Sequence, residues 1–291
     1  LSILDSVLGW IDPYVQVNTY EEQFGTSNPS TSRRLGFQAM ISAKQIAEFV
    51  AMKKLGLDVK LVIGRVVIEE LVCDDAPKKN AACTNLEVGE TITHFDGVAT
   101  PTLTDLAAQM KDRVVGDIVE LTVIPYKAGA TVPDITKAEK RTVQLMANAD
   151  DPTRPIIGFV PADTRTVSLP FEVKISTSDI GGPSAGLAFA LALLDELTSG
   201  NLMGTSRVVA TGTISNDGSV GAIGALEQKA VAVKASGADL FLVPSGQSAD
   251  EMKRARNAAG SGVKIVQVAT LDEALKVLRA NGGNALSATT A

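Results

Sequence analysis

The run Gly181-Gly182-Pro183-Ser184-Ala185-Gly186 places a hydroxyl between a stretch of alternating apolar residues and a long apolar helical pattern. A serine at the mouth of a helix sits where free backbone N–H groups and the helix dipole favour negative charge. Acyl transfer needs such a place, because its tetrahedral intermediate carries an oxyanion. The neighbours suit that purpose. Gly181 and Gly182 allow close backbone approach to a ligand, Gly186 allows close packing in the first turn, and Pro183 fits a helix start, where its missing N–H costs nothing. The plainer reading is a serine that only caps its helix.

A nucleophilic serine needs a base. The one histidine, His94, falls on a predicted strand beside Phe95, remote in sequence from Ser184, where a structural role fits. Lys229 is the alternative. Leu226, Ala230 and Val233 share one face of a predicted helix; Lys229 borders that stripe and Lys234 points away. A lysine so placed ordinarily extends its charge to water. Held in low dielectric, an amine favours its neutral form, which accepts a proton.

Other chemistries fit poorly. Two cysteines and one histidine cannot make a four-cysteine zinc site, so no metal or cofactor is expected. Cys73 and Cys83 bracket a polar loop, as free thiols or as a disulfide; the sequence leaves both open. The net charge of −6 and the lack of a basic stripe argue against nucleic acid. No run of about 20 apolar residues occurs. The chain has no Gly-x-x-x-x-Gly-Lys-Ser/Thr loop, so ATP is not expected to drive it.

The positioning elements follow from periodicity. Ser2 to Ile11 reads as a helix ended by Pro13, and residues 18–34 as a loop. A second helix runs from about Gln38 to Leu55 with Gly56 as its stop. Val59–Val72 reads as one or two strands around Gly64. Thr91–Phe95, the Asp96-Gly97 turn, a helix from Leu103, and strands at Ile118–Ile124 and Arg141–Met146 come next. Asn148–Pro155 is the best domain boundary. Beyond it, alternation from Val167 to Ile175 predicts a half-buried strand, and alternating helices and strands to Ala280 predict an α/β domain. The organisation is an N-terminal helical segment (1–57), a small α+β domain (58–148), an α/β domain (155–283) and a flexible tail (284–291).

Two resemblances sharpen this reading. Leu86-Glu87-Val88-Gly89-Glu90-Thr91-Ile92, Asp96-Gly97 and the helix near Leu103 resemble a PDZ domain. The resemblance implies a peptide groove between Arg65–Val72 and Leu103–Arg113, with Gly64, Arg65 and Val66 at its start and a poor match to the carboxylate-binding loop at Val62-Ile63-Gly64. Leu35-Gly36-Phe37 looks like that loop but precedes a helix, so it reads as a decoy. Gly182-Pro183-Ser184-Ala185-Gly186 and Ile223-Gly224-Ala225-Leu226-Glu227-Gln228-Lys229, with Ala210-Thr211-Gly212 between them, resemble the proteolytic domain of Lon-type serine proteases. That resemblance implies Ser184 as nucleophile, Lys229 as general base, Thr211 as hydrogen-bond partner of the lysine and backbone N–H groups near the serine as oxyanion donors. Thr213 and Gly181 stand where ATP-dependent relatives usually carry acids; the nearby acid is Asp179.

Together the two parts resemble bacterial membrane-anchored PDZ–Lon proteases. The likeness implies protein or peptide substrates, a homo-oligomer such as a six-membered ring, and an extracytoplasmic location through an anchor preceding Leu1. Two other readings remain: a PDZ scaffold with an inactive Lon-like domain, and a phosphate-binding domain of the small-molecule kinase type, whose Pro/Gly/Ser-rich turn is similar.

Overall fold

The computed structural model describes residues 14, 15, 18–20, 22, 29–72, 81–127, 134–177, 180–284 and 286. The predicted Ser2–Ile11 helix, Cys73 and Asp179 lie outside them. Two compact units form. One joins Ser30–Ser42 to Leu61–Ser168, and the other joins Ala43–Lys60 to Leu169–Ala291.

Helix α1 (Pro29–Lys54) contributes to both units. It begins well before Gln38, because Pro29 suits the first helical position, where its missing N–H would have no intrahelical partner. Gly56, at φ +76°, ends it as read from the sequence.

The first unit is built on a sheet. Its elements are β1 (Lys60–Leu71), a short helix α2 (Ala82–Asn85), β2 (Thr91–Phe95), β3 (Val98–Ala99), helix α3 (Leu103–Met110), β4 (Ile118–Ile124), β5 (Glu139–Gln144), a ribbon of β6 (Met146–Ala147) and β7 (Pro155–Ile156), and β8 (Phe159–Ser168). The strand order is β5-β4-β2-β1-β8, with β3 on β2. Asp96 and Gly97, both at positive φ (47° and 78°), make the two-residue turn between β2 and β3. Ile68, Ile92, Phe95, Leu121, Val123 and Leu145 fill the core with Leu106 of α3. Thr102 and Asp105 close a reciprocal cap at the start of that helix. Cys83, in α2, is disulfide-bonded.

The break between units falls at Ser168, later than the Asn148–Pro155 boundary read from the sequence, because β8 joins the first unit's sheet. The predicted strand up to Ile175 is not formed. Leu169–Thr177 has no ladder, and Phe171 stays 43% exposed. Pro170 has no N–H to donate, so apolar alternation continues past the point where hydrogen bonding stops.

The second unit alternates helices and strands: α4 (Gly186–Glu196), β9 (Val208–Ala210), β10 (Thr213–Ile214), β11 (Val220–Gly221), α5 (Leu226–Ala235), β12 (Leu240–Pro244), α6 (Ala249–Ala259), β13 (Lys264–Val268) and α7 (Leu271–Ala280). β13, β12 and β9 form a parallel sheet in that order. Every residue of the central strand is buried, as a sheet covered on both faces requires. Leu240 and Leu242 join a core with α1, α4 and α7, while Phe241 and Val243 join a second core with α5 and α6. Helices α4 and α5 therefore cover opposite faces of one sheet.

Candidate active site

Ser184 lies half-buried in the turn that leads into α4. Gly182 has φ +97° with open space where a side chain would stand, so the backbone conformation and not crowding demands glycine. Gly186 has the opposite cause: a Cβ there would come within 2.9 Å of Ile214. The helix start is thus pressed onto β10, as the sequence suggested. Pro183 is exposed between them.

Ser184 is not the cap of its helix. Ala185 holds the N-cap position and no side chain caps it. The Ser184 carbonyl is instead clamped from two sides, accepting from the Gly212 amide at 2.8 Å and the Thr211 hydroxyl at 3.0 Å. The Leu187 amide returns a bond to the Gly212 carbonyl at 3.1 Å. Thr211 is buried and its own amide donates to Leu242 of β12 at 3.0 Å. The serine turn is thereby tied to the sheet. The Ser184 and Ala185 amides donate no backbone bond among the described residues.

Lys229 sits in the first turns of α5, half-buried, where Leu226, Ala230 and Val233 are buried and Lys234 is exposed. This agrees with the stripe read from the sequence. What precedes the helix was not legible. Ala225 adopts the left-handed conformation at φ +55°, and Gln247 pins Ile223 with both ends of its side-chain amide. The Ile223 amide donates to Gln247 Oε1 at 2.7 Å, and Gln247 Nε2 donates to the Ile223 carbonyl at 3.0 Å. Gln247 is buried and lies just after β12.

These bonds place both groups. Gly212 lies just past the carboxyl end of β9, and Gln247 just past the carboxyl end of β12, its parallel neighbour. The start of α4 is bound to the first point and the start of α5 to the second. The turns that lead into α4 and α5 are thus each tied to residues just past the carboxyl ends of neighbouring parallel strands.

The Thr211 hydroxyl donates to the Ser184 carbonyl at 3.0 Å. His94 lies on β2 with Nδ1 3.0 Å from Thr93 Oγ1, within the first unit. Gly64, Arg65 and Val66 are on β1, next to β8. Among the described residues no group of three or more His, Cys, Asp or Glu side chains could hold a metal ion, and no helix is long and apolar enough to cross a membrane.

The SdrC-like protein of Listeria monocytogenes has a PDZ domain of known structure that covers 35% of this chain and 92% of its own, at 26% identity and a TM-score of 0.26. The corresponding domain from Listeria innocua covers 34% and 92%, at 23% identity and a TM-score of 0.25. A Lon protease of Lachnoclostridium phytofermentans is 35% identical over 95 residues, 33% of this chain and 11% of that protein. One from Trichlorobacter lovleyi is 38% identical over 96 residues, 33% and 11% of the two chains. The chain thus spans about one ninth of the length of these relatives. Residues 176–280 match the Lon protease (S16) C-terminal proteolytic domain, and this span contains Ser184, Thr211, Lys229 and Gln247.

Proposed function

We propose that this protein is a serine peptidase in which Ser184 attacks a peptide carbonyl and Lys229 serves as its general base. The observation that carries the reading is the double clamp on the Ser184 carbonyl, which fixes the half-buried serine in the turn that leads into α4. The Lys229 amine takes the hydroxyl proton as the oxygen attacks. The amides of the turn hold the oxyanion. The ammonium then protonates the leaving amine, and the acyl-enzyme forms. Water attacks the ester with Lys229 again accepting the proton, which releases the acid and restores Ser184. Thr211 positions the serine through its backbone.

The proposal extends to protein or peptide substrates, to hydrolysis without ATP or any cofactor, and to a homo-oligomer held outside the cytoplasm by a membrane anchor. Ser184→Ala and Lys229→Ala should each lower hydrolysis of a fluorogenic peptide or unfolded casein on the order of a thousandfold or more while leaving the circular dichroism unchanged. Adding ATP and magnesium should not alter the wild-type rate. Normal turnover by Lys229→Ala would remove the lysine from its role. Failure of a peptide boronate to inhibit the wild type would remove the serine.

A further inference from the structure

Helix α5, which carries Lys229, does not define its own start. Its N-cap is Ala225, whose methyl group cannot accept from the first amides of the helix. Ala225 is also held at φ +55°, a conformation that a residue with a Cβ resists. The Lys229 amide donates to the Ala225 carbonyl at 3.1 Å, so the backbone of the lysine hangs from this residue. A strained, uncapped helix end persists only where its surroundings fix it.

The fixing contacts come from the start of α6. That helix is well defined by itself, because Ser248 and Glu251 close a reciprocal cap. The Ser248 hydroxyl accepts from the Glu251 amide at 3.3 Å, and the Glu251 carboxylate accepts from the Ser248 amide at 2.9 Å and hydroxyl at 2.7 Å. Gln247, just before this cap, holds Ile223 two positions ahead of Ala225. Arg254, further along α6, holds Glu227 two positions after it, with Nε 3.3 Å from Oε2. Glu251 is committed to its cap, which leaves Glu227 as the ion-pair partner of Arg254 among the described residues. Ala225–Gln228 face Glu251 and Arg254 across a small polar cleft. Beneath these contacts Leu226, Ala230 and Val233 share a core with Met252, Ala255 and Ala259. Apolar packing is non-directional, so it sets the buried face of α5 and leaves the rotation of its first turn to the polar contacts. We propose that Arg254 is a positioning residue for Lys229, which it places through Glu227, and that with Gln247 it makes a two-point splint across Ala225. The inference rests on the general-base role proposed for Lys229, and its test separates the two.

The test uses the 291-residue chain with Arg254→Met, Arg254→Lys, Glu227→Gln, and Arg254→Met combined with Glu227→Gln. Methionine keeps the apolar stem of the arginine and removes its charge and donors. Hydrolysis of a fluorogenic peptide gives kcat and KM, and urea unfolding gives the midpoint. Trace acetylation with acetic anhydride, read by mass spectrometry, gives the labelling of Lys229 relative to exposed Lys234 on the same helix. Arg254→Met should lower kcat roughly three- to tenfold with KM little changed, because misplacement of a reacting group is amplified in the rate, and should shift the labelling ratio about twofold or more. The urea midpoint should barely move, since an ion pair with an exposed partner adds little stability. Glu227→Gln should act alike, the combined variant should fall no further than either alone, and Arg254→Lys should keep most of the rate. Unchanged kcat in Arg254→Met, in a chain whose hydrolysis needs Lys229, overturns the proposal. So does a loss of rate matched by a loss of stability and not relieved by lysine. Normal hydrolysis by Lys229→Ala would instead sink the general-base role, and the labelling ratio would still report whether Arg254 places the lysine.

Discussion

Thr211 shows how a single hydroxyl can govern a site it does not enter. Its donation to the Ser184 carbonyl, together with that of the Gly212 amide, fixes the backbone from which the Ser184 side chain projects. Thr211→Val keeps the buried shape and removes the donor. The stability cost should be about 1 kcal/mol, the usual net value of one hydrogen bond. The kinetic cost should be larger, a fall in kcat of roughly tenfold to a hundredfold with KM little changed, since small misplacement of a reacting group is amplified in the rate. Thr211→Ser should restore most of it. A matched loss in kcat and stability, with no rescue by serine, would make the residue merely structural. The residue types at this site were legible in the sequence, but their reasons were not. Gly182 and Gly186 look alike on paper, yet one answers to a left-handed backbone and the other to contact with Ile214. The donation of Thr211 to the Ser184 carbonyl was not legible, because a sequence carries no direction for a side chain.

At the scale of elements, helix α5 depends on a brace that sequence periodicity does not reveal. Gln247 satisfies both backbone groups of Ile223 in a buried position, just ahead of the left-handed Ala225. Gln247→Leu leaves a buried amide and carbonyl unpaired, with an expected cost of about 1–3 kcal/mol in urea unfolding. Because the same brace aims the helix that carries Lys229, activity should fall further than the stability change explains. Buried charge supplies a second element-scale prediction. Glu90, just before β2, is pushed above the ordinary glutamate range by burial, against the opposing pulls of a hydrogen bond from the Glu87 amide and of Arg141 at 3.8 Å. A raised folded-state pKa gives stability that is full below the unfolded-state value and lost as pH rises through the folded one. Glu90→Gln removes that titration. Its urea midpoint should therefore decline less than that of the wild type between about pH 4 and pH 7. A steeper decline in the variant would reverse the assignment. Strands with partners, such as β4 and β12, were readable from their apolar runs. The segment after Ser168 was misread because alternation reports which side chains are apolar and says nothing of whether a neighbouring strand exists.

At the scale of the whole molecule, the unit that carries Ser184 and Lys229 is discontinuous in sequence. The family match begins at residue 176 and the sequence reading assigned residues 1–57 to a separate helical segment. Yet Ile46, Ala47, Val50 and Ala51 of α1 are buried in the same core as Leu187, Leu191 and Leu194 of α4. Local periodicity shows that this helix has an apolar face, and it cannot show that the face is spent more than a hundred residues away in the chain. The helix that bears Ser184 is therefore held from behind by the C-terminal part of α1, and Lys54 adds an ion pair to Asp272 of α7 at 2.5 Å. Ile46→Ala should cost about 2–5 kcal/mol, the range for removing a buried aliphatic side chain. The sharper measurement divides the chain. A fragment of residues 169–291 leaves the α1-facing surface of that core open to water, and it should show poor cooperativity in thermal unfolding and bind a hydrophobic dye. Adding a synthetic peptide of residues 43–60 in trans should restore a cooperative transition and, with it, whatever hydrolysis the isolated unit supports. If the fragment unfolds as sharply without the peptide as with it, α1 is an ornament on the proteolytic unit and not a part of its core.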